Sequence, residues 1–185
     1  MQREIHKEII GKCQTGDRKA QYQLYSLYSS AMYNICRRMM VDEDEAKDLL
    51  QESFVEAFIQ IKKLKDISFF SAWIKRITIN KCLNAMRKKK LFALSLEEGI
   101  EVVEEIENDD DLIQLEAKQV LEAIEKLAPG HRAVLNLYLF EGYDHKEIGQ
   151  ILNITESASK SQFSKAKARI RNILEEQKDQ SYGTG

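Results

Sequence analysis

The stretch DHKEIGQILNITESASKSQFSKAKARIR, residues 144–171, predicts two short helices that are joined by a very tight turn. Asp144 and Glu147 have the three-residue spacing of a capping box, which opens the first helix. Asn153 suits the left-handed conformation that ends a helix, and Thr155 can cap the next helix immediately. Two helices with such a turn form a helix-turn-helix motif, in which the second helix is the one that enters a DNA groove.

The second helix of this motif has little apolar surface. At about 100° per residue, its inward residues share one narrow face, which comprises Ser159, Phe163, Ala166, Ile170 and Ile173. The opposite face comprises Ser157, Lys160, Ser161, Ser164, Ala168 and Arg171. Small side chains leave room for the wall of a groove, and Lys and Arg can reach phosphates. The pattern favours DNA binding, and a solvated amphipathic helix is the alternative.

The composition is typical of a helical protein. Hydrophobic residues make up 43% of the 185 residues and charged residues 31%, and eight Gly with one Pro favour helices over a turn-rich β fold. No apolar run approaches the roughly 18 residues of a membrane span, and the amino end lacks the apolar core of a signal peptide, so we expect a cytoplasmic chain without membrane insertion. Cys13, Cys36 and Cys82 are widely spaced and lack a nearby histidine pair, and we interpret them as buried thiols.

The net charge of −2 conceals a strong segregation of charge along the chain. Residues 91–111 hold nine acidic residues and no basic one, so 28 basic residues face 21 acidic ones in the rest of the chain. Residues 62–90 carry ten Lys or Arg against one Asp. This distribution predicts two modules on either side of a flexible acidic linker. It also suggests a polyanionic partner, although a basic face is often only solvated surface.

Apolar residues at helical spacing predict an all-α fold of two small modules. In the first module we expect helices over residues 17–40, 43–63 and 71–90, with a weaker helix near residues 3–13. The predicted inward residues of its first two long helices are Leu24, Leu27, Tyr28, Ala31, Ile35, Met39, Ala46, Leu49, Leu50, Phe54, Ala57, Phe58 and Ile61. The second module should have four helices with a break at Pro129, and the predicted inward residues of its first two are Val120, Leu121, Ile124, Leu127, Val134, Leu135, Tyr138 and Leu139.

These patterns divide the chain into four expected segments. They are a first module over residues 1–90, the acidic linker over 91–111, a second module over 112–176 and a disordered tail over 177–185.

The last helix of the first module carries a polar stripe. Arg76, Asn80, Asn84 and Arg87 recur at spacings of four, four and three residues, and Lys88 extends the positive surface. Arg and Asn side chains read base edges and phosphates, so the stripe is a candidate DNA-binding surface. A solvated face fits the same residues equally well.

Three longer stretches resemble one known family. DEAKDLLQESFVEAF (residues 44–58), followed by FFSAWIKRITINKCLNAMRKKK (69–90), resembles region 2 of the extracytoplasmic-function (ECF) sigma factors of the bacterial sigma-70 family. IEKLAPGHRAVLNLYLFEGYDHKEIGQILNITESASKSQFSKAKARIR (124–171) resembles their region 4. The resemblance implies a non-enzymatic initiation subunit that gives core RNA polymerase its promoter specificity, without a cofactor, a metal or a small-molecule substrate.

The resemblance also assigns a role to each polar surface. It places region 2 at the -10 promoter element, through Arg76, Asn80, Asn84, Arg87 and Lys88. It places region 4 at the -35 element, through Ser157, Lys160, Ser161, Ser164, Lys165 and Arg171. It assigns binding of core polymerase to Asp48, Gln51 and Glu52, and it implies a cognate anti-sigma factor as a further partner.

Several residues depart from the family pattern or have two interpretations. Ala158 stands where a Thr often begins the recognition helix, and Ser159 replaces a common aliphatic residue. The Ser159 hydroxyl can bond back to a carbonyl one turn earlier, so the helix can still pack on this face. For Phe69 and Phe70 we favour core packing over stacking on an unpaired base. The scattered histidines, which are His6, His131 and His145, are interpreted as structural or exposed.

Two other functions fit the residues alone. One is a helix-turn-helix regulator that acts on DNA without core polymerase, and the other is a helical module that only binds proteins. The acidic linker also has two interpretations. It could imitate nucleic acid inside the basic channels of polymerase, or serve as a charged spacer that spans up to about 70 Å when fully extended.

Overall fold

The computed structural model describes residues 2–89 and 117–182, and its secondary structure in these ranges is helical, which confirms the all-α prediction. The chain divides into two compact units, Met1–Ala85 and Met86–Gly185. The first four helices are α1 (Gln2–Gln14), α2 (Arg18–Met39), α3 (Glu43–Gln60) and α4 (Phe70–Lys88). The next four are α5 (Ala117–Glu125), α6 (Pro129–Leu139), α7 (His145–Leu152) and α8 (Glu156–Tyr182). The acidic segment 91–111 lies outside the described residues.

Carboxylate caps fix where the helices of the first unit begin. The Asp17 side chain accepts hydrogen bonds from the backbone N–H groups of Lys19 and Ala20, at 2.8 and 3.2 Å. The Asp42 side chain accepts from the N–H of Glu45 at 2.7 Å. Each cap satisfies a donor that the first turn of a helix leaves unpaired. The predicted starts of α2 and α3 therefore agree with the structure.

Helix α2 is central to the first unit because it packs against both α1 and α3. The fully buried side chains of this unit include Ile10, Leu24, Met39, Ala57, Ile61, Phe70, Ile74, Ile79 and Leu83. Leu27 and Ala31 were predicted to face inward, but both are exposed, and Met32 and Cys36 are buried instead. The buried residues of α2 extend toward Met32 and Cys36, so the covered face is rotated from the one that the spacing predicted.

The three cysteines are buried and unpaired, as predicted. Cys36 Sγ and Cys82 Sγ lie 3.8 Å apart, in a contact that joins α2 to α4. The neighbouring thiol of Cys36 and burial together raise the pKa of Cys82 well above its ordinary value, so the thiol form is strongly favoured.

In the second unit, α8 packs against α5, α6 and α7. Its central cluster comprises Ala123, Ile124, Leu127, Leu135, Ala166, Ile170, Ile173 and Leu174. Leu121, Tyr138 and Leu139 were predicted to face inward, but they are exposed. The break at Pro129 is confirmed, because this proline is the first residue of α6, where its missing N–H costs nothing.

Two further features of this unit were not predicted. The buried Arg132 donates from Nη1 to the carbonyls of Glu125 and Leu127, at 3.0 and 3.3 Å, and so stabilises the end of α5. Helix α8 continues through Tyr182, beyond the expected module end at residue 176. Among the described helices, none combines the length and the apolar character that a membrane span requires.

Candidate nucleic-acid and protein interfaces

The turn between α7 and α8 has the geometry of a tight helix-turn-helix. The Asp144 side chain accepts from the N–H of Glu147 at 2.7 Å, and the Glu147 carboxylate accepts from the N–H of Asp144 at 2.9 Å, which confirms the capping box. Asn153 has φ 60° and ψ 47°, the predicted left-handed conformation. Thr155 Oγ1 accepts from the N–H of Ala158 at 3.0 Å and caps α8. A Cβ added to Gly149 would lie 2.8 Å from the Ile154 carbonyl oxygen, so the turn requires glycine here.

Helix α8 separates a buried face from a polar face, as predicted. Ser159, Ala166, Ile170 and Ile173 are buried. Ser157 and Lys160 are exposed, and the remaining candidate residues are partly exposed: Ser161, Ser164, Lys165 and Arg171.

Lys160 makes an ion pair within α8. Its Nζ lies 2.9 Å from Glu156 Oε1, one turn earlier, and this hydrogen bond lowers the pKa of Glu156. Exposed pairs of this kind are weak and are screened by salt, so a phosphate can replace the carboxylate at little cost.

The expected partner of Ser159 was wrong. Its hydroxyl is hydrogen-bonded to His145 Nδ1 at 2.9 Å, and the carbonyl one turn earlier accepts the Ser159 backbone N–H. The His145 ring stacks on Tyr138, with centroids 4.6 Å apart and planes at 15°, and meets Phe163 edge-on. Burial, assisted by the charge of Lys160, lowers the pKa of His145, which favours the neutral ring. The sequence signal for this bridge was a serine at an inward position of α8.

The polar stripe of α4 is exposed along its whole length. Its members share about 120° of the helix surface, and all are exposed: Arg76, Asn80, Asn84, Arg87 and Lys88. The other side of α4 contributes Ile79, Cys82 and Met86 to the core. The stripe therefore lies on the surface of the helix and not in the core.

The two phenylalanines before this stripe have different environments. Phe70 is 1% exposed and packs edge-on against Tyr28, with centroids 5.2 Å apart. Phe69 is 63% exposed at the end of the 3-10 turn Ile67–Phe69. Core packing is confirmed for Phe70 and wrong for Phe69.

Helix α3 presents an acidic face that becomes apolar toward its carboxyl end. Asp48, Gln51 and Glu52 are exposed, and Glu52 Oε2 lies 3.5 Å from Lys81 Nζ of α4. Val55 and Ile59 continue this face, with 58% and 71% of their surface exposed. Sequence reasoning missed these two residues, and the available signal was a pair of apolar positions outside the inward spacing of α3. Exposed apolar side chains beside charged ones are typical of a protein-binding surface.

The described residues show no arrangement for metal chemistry. Within residues 2–89 and 117–182, no group of three or more His, Cys, Asp or Glu side chains is placed to hold a metal ion.

The surfaces together indicate a helical, DNA-binding transcription protein. They are a helix-turn-helix, an exposed stripe of Arg and Asn, and a separate acidic and apolar face.

Comparison with known proteins gives the family. The Sigma-70 region 2 model matches residues 24–92, and the Sigma-70, region 4 model matches residues 117–170. Over 179 residues the chain is 30% identical to the ECF RNA polymerase sigma factor SigW of Bacillus subtilis (strain 168), covering 91% of this chain and 96% of that protein. Over 165 residues it is 29% identical to SigM of the same organism, covering 82% and 93%.

Solved structures share the fold. CnrH, in complex with the cytosolic domain of CnrY, has a TM-score of 0.55 and 22% identity, and the match covers 92% of this chain and 97% of that one. The sigma factor RpoE of Bartonella quintana, in complex with the anti-sigma factor NepR, has a TM-score of 0.56 and 20% identity, over 83% and 96% of the chains. The chain belongs to the ECF sigma factors of the sigma-70 family, which are non-enzymatic and direct transcription initiation with core RNA polymerase.

Proposed function

We propose that α4 binds the -10 promoter element and that α8 binds the major groove at the -35 element. The observation that carries this proposal is the exposure of every side chain of the α4 stripe, while the other side of α4 is buried. The -10 residues are Arg76, Asn80, Asn84, Arg87 and Lys88. The -35 residues are Ser157, Lys160, Ser161, Ser164, Lys165 and Arg171. Arg and Lys bind phosphates, and Asn and Ser can bond base edges.

Opening the -10 element requires capture of unpaired bases. Unstacking a base costs a few kcal/mol, which contacts with the captured strand must offset. Phe69 stands at the amino end of α4 with an exposed ring, and the base-stacking interpretation therefore applies to Phe69 and not to Phe70.

Core polymerase binds, in this proposal, to the α3 face formed by Asp48, Gln51, Glu52, Val55 and Ile59. Carboxylates oppose the approach of DNA, so this face suits a protein partner. The exposed apolar pair supplies area that becomes buried on association, and the carboxylates supply orientation.

The module boundaries are part of the proposal: region 2 over residues 1–90, the acidic linker over 91–111 and region 4 over 112–176. Two DNA contacts on one chain act through effective concentration, so each module alone can bind promoter DNA weakly. The place of action is the bacterial cytoplasm, where the chromosome and polymerase are.

A cognate anti-sigma factor is a further proposed partner. RpoE of Bartonella quintana was solved with such a protein bound. An anti-sigma factor that covers the α3 face around Asp48 would block polymerase binding without touching the DNA-binding residues.

Transcription in vitro on a promoter library tests the proposal. Core RNA polymerase with this protein should produce run-off transcripts from a small set of related promoters. The double variant Arg76→Ala with Asn80→Ala should lose at least about tenfold in promoter opening, the effect of one or two lost base or phosphate contacts. The matched control, Lys19→Ala with Gln23→Ala, changes exposed residues of the same charge and polarity on α2 and should behave as wild type. Promoter opening by the stripe variant at the wild-type level would contradict the -10 assignment.

A further inference from the structure

A polar bridge joins the buried face of α8 to α7. Ser159 is 0% exposed, and its hydroxyl is hydrogen-bonded to His145 Nδ1 at 2.9 Å. His145 is the first residue of α7, and Ser159 lies in the first turn of α8. A buried hydroxyl without a partner costs free energy, so any rotation of α8 that separates these two groups is disfavoured.

The His145 ring is itself held in place by aromatic rings of the two neighbouring helices. It stacks on Tyr138 of α6 and meets Phe163 of α8 edge-on, at centroid distances of 4.6 and 5.6 Å. Tyr138 and Phe163 also contact each other at 4.6 Å. The rings of Tyr138, His145 and Phe163 therefore form one cluster. This cluster holds His145 Nδ1 in a defined position, where it is hydrogen-bonded to Ser159 of α8.

Ser159 directly precedes Lys160 and Ser161, two of the proposed -35 residues. A rotation of α8 by about 20° would move its outer side-chain atoms by about 2 Å, given a helix diameter of about 10–12 Å. Such a displacement exceeds the tolerance of a hydrogen bond to a base edge or a phosphate. The bridge on the buried face thus controls the geometry on the opposite, DNA-facing side.

We propose that His145 is a positioning residue for promoter recognition: through its hydrogen bond to Ser159 it fixes the rotation of α8, and with it the direction in which Lys160 and Ser161 meet the -35 element. The inference rests on the proposed -35 role of α8. His145 itself touches no DNA in this scheme.

The test uses holoenzyme formed from core RNA polymerase and the full chain. Two templates share the -10 element selected from the library and differ in a selected or a scrambled -35 element, and the ratio of their initiation rates gives the -35 preference. His145→Phe keeps a ring for stacking but removes the nitrogen, and the loss of one hydrogen bond should lower the preference about three- to tenfold. His145→Asn, whose amide can reach the Nδ1 position, should restore most of it.

A double variant separates positioning from stability. In His145→Phe with Ser159→Val, both groups of this hydrogen bond are replaced by apolar ones, so neither is left buried without its partner. Thermal stability should then return toward wild type while the -35 preference stays low. Recovery of the preference together with stability would overturn the inference, as would a wild-type preference in His145→Phe. His6→Phe, in the other unit, is the control and should leave the preference unchanged.

A second comparison distinguishes this inference from the proposed function. Lys160→Ala with Ser161→Ala should also lower the -35 preference. If it does so while His145→Phe does not, the positioning role alone fails. If neither variant lowers it, the -35 assignment of α8 fails, and the positioning role fails with it.

Discussion

At the scale of single residues, Gly149 sets how closely α7 and α8 can approach. A Cβ at this position would lie 2.8 Å from the Ile154 carbonyl oxygen, and backbone cannot move away as a flexible side chain can. We expect Gly149→Ala to lower the free energy of unfolding of the second unit by about 1–3 kcal/mol, the usual cost of overpacking. Circular dichroism during thermal unfolding measures this change. Fluorescence of Trp73, the single tryptophan, follows the first unit and should be unaffected.

The same substitution at another glycine is the control for this prediction. Gly11 lies within α1, and a Cβ added there would meet no atom within 4 Å. Gly11→Ala should therefore stabilise the first unit by about 0.5–1 kcal/mol, because alanine loses less backbone entropy in a helix. Equal effects of the two substitutions would contradict the steric explanation for Gly149.

Residues with local partners were predictable from the sequence, and those with distant partners were not. The capping box of Asp144 and Glu147 was correct because both partners lie within one turn. The partner of Ser159 was wrong, because the His145 ring reaches it from another helix and only the packing of Tyr138 and Phe163 fixes that ring. Sequence spacing places Ser159 on the inward face of α8 but does not identify its partner on another helix.

At the scale of helices, α3 has one face that packs in the core and one that is exposed. One side gives Leu50 and Phe54 to the core, and the other exposes Val55 and Ile59 next to the carboxylate of Glu52. Val55 and Ile59 contribute little to the core, and exposed apolar side chains lower solubility. Their exposure is therefore consistent with a partner that covers them.

We expect Val55→Ser with Ile59→Ser to weaken the binding of core polymerase about five- to thirtyfold, since residues at the centre of an interface often contribute about 1–2 kcal/mol. Thermal stability should stay within about 0.5 kcal/mol of wild type, because both side chains are mostly exposed. Fluorescence anisotropy of labelled protein titrated with core enzyme gives the dissociation constant. Tyr22→Ser, which removes an exposed ring from α2, is the control. Unchanged affinity in the double variant would remove Val55 and Ile59 from the proposed interface.

Helix existence was predictable, and helix faces were predictable only in part. The apolar spacing placed the starts of α2 and α3 correctly, and Pro129 placed that of α6. Leu27 and Leu121 were predicted to face inward but are exposed. The width of a buried face depends on which neighbouring helices cover it, and the sequence alone does not give these neighbours. The exposed stripe of α4 was predictable because its members are all polar, and polar side chains of this kind are rarely buried in a core.

At the scale of the whole molecule, the acidic segment 91–111 and the rest of the chain carry net charges of opposite sign. Nine acids in residues 91–111 convert a chain that would otherwise carry +7 into one of −2. Affinity for DNA without sequence preference depends on phosphate contacts by Lys and Arg and falls steeply with salt. We expect the acidic segment to compete with phosphate for the basic residues of the modules, so free protein should bind DNA poorly in the absence of polymerase.

Replacing the nine acids of residues 91–111 by Gln or Asn tests this competition. The free protein should then bind promoter DNA more tightly at low salt, and the gain should shrink as salt is raised, because screening weakens both competitors. A variant with the same residues in shuffled order keeps the charge and should bind DNA as wild type does. If the neutral linker brings no gain in DNA binding, the acids do not shield the basic surfaces. The shuffled linker also tells the two roles apart in transcription, because a spacer tolerates any order, whereas a segment that imitates nucleic acid in a channel requires its charges at particular positions.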